Sequence, residues 1–193
     1  MTHQGKRLFI TGIPTSGKSH LAKAIAEKTG GVAVILDDFR EDLSENPKYR
    51  KWVNFYLDQD EKKYLTETSP EDQWKNLVAQ SEAIWPAFLK EIEKYSKEKQ
   101  PVIFECVNML PHLTRQNLGF PGIVLIGSSL EETLKRNKKD PRWGNTLELQ
   151  ELEAKMFFEV ERPNYKREAE KYGYPVFESA DEAFQLAIKI LSL

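Results

Sequence analysis

The sequence predicts an α/β fold in three layers, a parallel sheet of about five strands with helices on both faces. Three observations predict it. Five short apolar runs, at residues 6–11, 32–36, 101–105, 122–127 and 174–178, alternate with segments of helical spacing, the order that builds a parallel sheet. Runs such as VAVIL (32–36) are apolar without a break, as strands buried on both faces are. The first run also passes through a glycine-bounded turn into a helical pattern, so strand, loop, helix and strand follow one another within about forty residues.

Taken in order, KRLFIT (6–11) is a short strand ended by Gly12. A helix is expected from Gly17 to about Lys28, with Leu21, Ala22, Ile25 and Ala26 on one face. Gly30 and Gly31 stop it, because glycine supplies the left-handed backbone of a C-cap. VAVIL follows as the second strand. Between Glu71 and Lys97 apolar residues such as Leu77, Ile84, Trp85, Phe88 and Ile92 recur at gaps of three and four or their sums. Pro86 inside that pattern predicts a kink or break near Trp85. PVIFE (101–105) and GIVLIG (122–127) read as two more strands, and Ser129-Leu-Glu-Glu as a capped helix start. The charged segment KRNKKDPRWGN (135–145) interrupts. A long helix follows, then the strand YPVFE (174–178) and a last helix burying Ala183, Phe184, Ala187, Ile188 and Leu191. No repeat or linker divides the chain, so residues 1–193 read as one domain.

The bulk composition narrows the function classes. A net charge of −2 gives no global attraction to nucleic acid or anionic membrane, which disfavours nucleic acid as a partner without excluding it. One cysteine, Cys106, rules out an internal disulfide and a cysteine-rich metal site. The start MTHQGKRLFI is too short and polar for a secretory signal, and no apolar run approaches the ~20 residues that span a bilayer. A cytoplasmic location away from membranes is expected. Oligomeric state is not legible.

The strongest motif is GIPTSGKS (12–19), which fits G-x-x-x-x-G-K-[ST] at every fixed position, with a strand before and a helix after. Glycines let consecutive backbone N–H groups close on phosphate oxygens at a helix N-terminus. Gly12, Pro14, Thr15, Ser16, Gly17, Lys18, Ser19 and His20 are therefore the expected ATP-binding residues. Lys18 would reach the β and γ phosphates and the Ser19 hydroxyl would ligate Mg2+. The fold class becomes that of a P-loop NTPase.

The loop does not say where the phosphate goes. Immediately after VAVIL stands Asp37-Asp38-Phe39-Arg40, at a strand end where such sheets bind ligands. A carboxylate there can accept a proton from a hydroxyl attacking the γ-phosphate, although aspartates also favour turns and helix caps. One of the two is expected to face the site and the other to cap or fold away. Arg136, Lys138, Lys139 and Arg142 crowd around Asp140-Pro141. Arg136 and Arg142 are favoured over the lysines because a planar fork suits phosphate oxygens. The segment 41–98, between the acid and the third strand, is expected to form an acceptor pocket. Within it Trp52, Phe55 and Tyr56 either stack on a flat acceptor or simply pack. Asn108 and His112 fall on a loop near the crevice without an assigned role.

GIPTSGKS with VILDDFR resembles the small P-loop kinases of the nucleoside-kinase kind, notably nicotinamide riboside kinases, which pair a similar loop with a DDFF run. Phage-type polynucleotide kinases carry DDYR at the same place. The likeness covers about forty residues strongly and the rest only as an order of elements. It implies a mobile lid at 135–145 over ATP, with Arg136 and Arg142 neutralising charge on the transferred group. It implies Asp37 as the catalytic base, with Asp38 and Arg40 on the substrate. By the polynucleotide kinase pattern Arg40 would hold a phosphate end. It implies Glu105 beside Ser19 on magnesium. PVIFECVNMLP also resembles the corresponding strand of 2-phosphoglycerate kinase relatives, but Cys106 stands where those have glycine. The leading expectation is an ATP- and Mg2+-dependent kinase acting on a hydroxyl of a nucleoside- or metabolite-like molecule. The alternatives are a polynucleotide-end kinase and an ATP-binding regulatory switch without an acceptor.

Overall fold

Strand β1 (Arg7–Thr11) leads through the glycine loop into α1 (Lys18–Thr29), and β2 (Val32–Ile35) follows directly. The computed structural model of the protein describes residues 6–192. After β2 come α2 (Leu36–Asp42), a 3-10 turn (Leu43–Glu45), α3 (Pro47–Val53), α4 (Glu61–Glu67) and the long α5 (Pro70–Lys94). Then come β3 (Val102–Glu105), α6 (Pro111–Asn117), β4 (Gly122–Leu125), α7 (Leu130–Lys139) and α8 (Leu147–Lys155). A π-helical turn (Met156–Glu161) joins α8 to α9 (Arg162–Tyr172), and β5 (Val176–Phe177) and α10 (Ala180–Ser192) end the chain.

All five strands are parallel, in the order β2-β3-β1-β4-β5. Successive side chains of a strand point to opposite faces, and the core divides accordingly. Leu8, Ile10, Ile103 and Ile123 pack with α1 and α10 through Leu21, Ile25, Ala183 and Ala187. Phe9, Phe104 and Val124 pack on the other face with α5, α6 and α9 through Ile84, Phe88, Leu113 and Tyr165. Three layers result, as expected. Among the described residues, no helix is long and apolar enough to cross a membrane.

Several local expectations need correction. VAVIL gives up its last residue: Leu36 opens α2, so Asp37 and Asp38 lie in the first turn of a helix, where its dipole favours acids. β2 is an edge strand and is only partly buried, although its run of apolar residues suggested burial on both faces. Pro86 does not break α5, which continues through it, because the proline is exposed and the carbonyl it orphans, that of Glu82, belongs to an exposed residue that water can reach. The charged segment is irregular only beyond α7, so residues 135–139 are its last turn. The long helix after it is divided by the π turn. The caps, by contrast, are where the sequence places them, with Gly30 left-handed at φ 64° after α1 and the Ser129 side chain accepting from Glu132 N.

Candidate active site

The loop between β1 and α1 holds three residues at positive φ, namely Gly12 (131°), Thr15 (58°) and Gly17 (97°). Backbone that alternates in this way turns its amides inward and forms an anion-binding nest. Gly12 is obligatory for a second reason. A Cβ there would lie 1.9 Å from the carbonyl oxygen of Leu125 at the end of β4. Thr15 has no such freedom, and holding it left-handed costs about 1–2 kcal/mol. Its hydroxyl oxygen is buried without a hydrogen-bond partner. Ser16 Oγ donates to Ile13 O at 2.8 Å and tightens the loop.

At the start of α1, Lys18 is buried and its Nζ donates to Ile13 O at 2.7 Å. It also lies 3.9 Å from Glu105 Oε1 at the end of β3. The other oxygen of Glu105 accepts from Ser19 Oγ at 2.7 Å. Sheet register explains the meeting, since β3 is the immediate neighbour of β1 and Glu105 is level with Ile10. Burial raises the carboxyl pKa of Glu105 and Asp37 adds to the rise, against Lys18, Ser19 and Arg142, which lower it.

A second group of side chains stands over the end of β3. Asp37 Oδ1 is 3.0 Å from Arg40 Nη1 one turn along α2 and accepts from the Cys106 thiol at 3.4 Å. Both contacts use Oδ1, which leaves Oδ2 to other partners. Burial pushes the thiol pKa well up, and Asp37 pushes it further, so Cys106 stays a donor. Arg40 also donates to Asn108 Oδ1 at 2.9 Å. The amide of Asn108 in turn donates to Gln80 Oε1 (3.1 Å) and Ser81 Oγ (2.9 Å) on α5. Burial works against the charge of Arg40, but Asp37 and then Cys106, Glu41 and Tyr56 outweigh it and raise its pKa.

The remaining expected residues fall in different places. Asp38 and His20 are exposed and join none of these contacts. Arg136 lies on α7, with Nη1 donating to the outer carbonyls of Thr15 (3.2 Å) and Ser16 (2.8 Å). Of the two arginines expected in a lid, only Arg142 is on the irregular segment. It is 3.2 Å from Asp140 and close enough to lower the pKa of Glu105. Trp52, Phe55 and Tyr56 pack rather than stand free. Tyr56 and Tyr64 both meet the Trp143 ring edge-on or tilted, at 5.7 and 5.9 Å between centroids. His112 bridges Glu168 (3.0 Å) and Glu82 (3.4 Å) away from the loop.

Three residues escaped the sequence reading. Cys106 carried no site role in the sequence, only its standing as the single cysteine and as a departure from a motif, and Asn108 only that of a neighbour of the crevice. Glu161 was lost inside an apparently regular helix. It is buried, and its charge acts on Tyr56, Tyr64 and Tyr165 while Lys18 acts on it. The available signal was a pair of acids, Glu159 and Glu161, in a mostly apolar run, MFFEVE.

No family model matches the chain, and no curated protein matches its sequence. Solved structures do match it. The shikimate kinase of Acinetobacter baumannii, in complex with shikimate, is similar with a TM-score of 0.56 and 13% identity, over 98% of this chain and 94% of that one. The shikimate kinase of Bacteroides thetaiotaomicron is similar with a TM-score of 0.56 and 14% identity, over 97% and 99%. The chain shares the fold of these two kinases.

Proposed function

We propose that the protein is a kinase that moves the γ-phosphate of ATP to a hydroxyl of a small, nucleoside- or metabolite-like molecule. One observation carries this reading. The Asp37 carboxylate contacts Cys106, whose chain neighbour Glu105 contacts both Ser19 and Lys18. An acid able to take a proton thus opens on the same strand ends as the phosphate loop.

The residues present fit the nucleotide. The positive-φ backbone of the loop turns its amides inward, and the Thr15 hydroxyl is buried without a partner, as an anion site requires. Ser19 Oγ and Glu105 Oε2, 2.7 Å apart, are two hard oxygens suited to Mg2+, which retains several waters and phosphate oxygens as its other ligands. When bound, that ion neutralises charge on the phosphates. Lys18 exchanges the Ile13 carbonyl for a phosphate oxygen. Arg40 and Cys106 pin Asp37 through Oδ1, so Oδ2 receives the proton of the acceptor hydroxyl. Residues 41–98 supply the acceptor side, and residues 140–145 with Arg142 act as the lid that excludes water. Arg136 braces the loop from outside.

The test is an ADP-release screen with Mg-ATP over a metabolite panel, with Lys18→Ala as the control. Shikimate and nucleosides belong in the panel, the first because of the structural likeness and the second because of the DDFR resemblance. Release that depends on one acceptor and vanishes in the control supports the reading. ATP hydrolysis indifferent to every acceptor points instead to a regulatory switch.

A further inference from the structure

The π turn at Met156–Glu161 inserts an extra residue between α8 and α9 and re-aims the side chains that follow it, a distortion frequent at functional sites. Met156, Phe157 and Val160 of this turn join an aromatic cluster with Phe55, Tyr56, Tyr64 and Trp143. Glu161 is turned inward with them and is only 6% exposed. Its Oε2 is buried and has no hydrogen-bond partner, and among the described residues it makes no ion pair.

Such a group is costly. A buried polar atom without a partner loses about 1–3 kcal/mol, and an apolar residue of similar size would suit this cluster better. The fold makes no evident use of the carboxyl. The groups facing it are Lys18 from α1, Tyr56 from the turns after α3, Tyr64 from α4 and Tyr165 from α9. Tyr165, one turn beyond Glu161, donates to the carbonyl of Val107 beside Asn108, and the rest of the π turn packs on Phe55, Tyr56 and Tyr64 of the segment expected to bind the acceptor, so Glu161 stands on the acceptor side of the cleft.

We propose that Glu161 is the acceptor-binding carboxylate, and that the acceptor is a hydroxylated molecule carrying a basic amine. The inference rests on the kinase reading for the word acceptor, but not for the amine. Charge accounting leads to it. Lys18 and Arg142 serve the phosphate side, and Arg40 is already matched by Asp37 and Asn108. Among the described residues Glu61 and Glu161 each keep a buried carboxyl oxygen without a partner, but Glu61 lies against Glu153 and Gly144, which leaves Glu161 over on the acceptor side. A carboxylate-bearing acceptor would have to share the proton of Glu161 and would meet like charge once that proton is lost. A neutral hydroxyl would pair with the protonated acid and release no proton. A protonated amine gains both a charge-assisted hydrogen bond and attraction to the surrounding ring faces. Burial pushes the Glu161 carboxyl up to about 8 against the pull of Lys18, so it is largely neutral at pH 7. Binding of the cation then displaces its proton to solvent.

Calorimetry on the full chain with Mg-ADP present tests this, using ethanolamine and 2-amino-2-deoxyglucose against ethylene glycol and glucose. Repeating the titration in buffers of different ionisation enthalpy counts released protons. At least one amine is expected to bind about 10- to 100-fold tighter than its hydroxyl counterpart and to release close to one proton. Glu161→Gln should lose both the preference and the release while keeping Mg-ADP binding and its melting temperature. The inference is overturned if neither amine outbinds its counterpart, if no proton is released, or if Glu161→Gln binds the amine as the parent does. The comparison within the parent protein stands even should the variant fold poorly. ADP release measured in parallel separates the two readings. Amine binding without turnover sinks phosphoryl transfer alone, and turnover of neutral polyols without amine preference sinks this inference alone.

Discussion

At Asp37 two donors compete for one oxygen, and the consequence can be measured. Asparagine at this position still accepts from Arg40 and Cys106 through its carbonyl, so Asp37→Asn should fold and bind ATP as the parent does. It cannot take a proton, and turnover with the identified acceptor should fall about a hundredfold or more. Unchanged turnover in a stopped-time ADP assay would remove Asp37 from the chemistry. Asn108 serves the same oxygen at one remove. Asn108→Ala strips partners from Arg40, Gln80 and Ser81 together, and a cost of about 1–3 kcal/mol in urea unfolding is expected. The contrast between these residues and the phosphate loop shows what a sequence discloses. Each position of GIPTSGKS has a local job, so residue type and spacing identify it. Asn108 finds its partners 28, 27 and 68 positions away, and only the folded chain brings them together. Glu161 is hidden for the same reason.

At the scale of elements, helix starts and stops were legible from caps because a cap is a contact between residues a turn apart. Pro86 and the π turn were misread because their outcome depends on which face meets water and which meets the core. Pro86 is exposed and orphans a carbonyl on the outer side of α5. Pro86→Ala should therefore stabilise the fold, by about 1–3 kcal/mol, seen as a higher urea midpoint at unchanged slope. A second element contact is sensitive to pH. Glu61 of α4 lies beside Glu153 of α8, and burial followed by the Glu153 charge pushes its pKa up to about 7. Asn137 Nδ2 (2.7 Å) and Gly144 N (3.2 Å) hold the two oxygens of Glu153. Because Glu61 binds its proton more tightly folded than unfolded, its contribution is full below about pH 4.5 and is lost as pH rises through about 7. Glu61→Gln puts an uncharged amide beside Glu153 at all pH values, so its melting temperature should fall less than the parent's between pH 5 and pH 8 and exceed it at pH 8. A parallel decline in both proteins would show that the pair does not titrate as described.

For the molecule as a whole, alternating runs announced a parallel sheet but not its strand order, because the order is set by which crossovers pack best after all are made. That order places β1 between β3 and β4, which lets Glu105 meet the loop from one side and Leu125 crowd Gly12 from the other. The same global arrangement brings Trp143, beyond α7, onto Tyr56 and Tyr64, some eighty residues earlier in the chain. Trp143→Ala should free residues 140–146 from this contact and let water reach the transferring phosphate. The expected readout is a severalfold rise in acceptor-independent ADP formation relative to acceptor-dependent formation. An unchanged ratio would show that the contact has no part in closure. On the proposed kinase reading, lid and acceptor segment lean on one set of rings, and ligand exchange would wait for those rings to separate. Residence time would then follow how readily an indole lets go of two phenols, and turnover could be quickened without touching a single atom that handles phosphate.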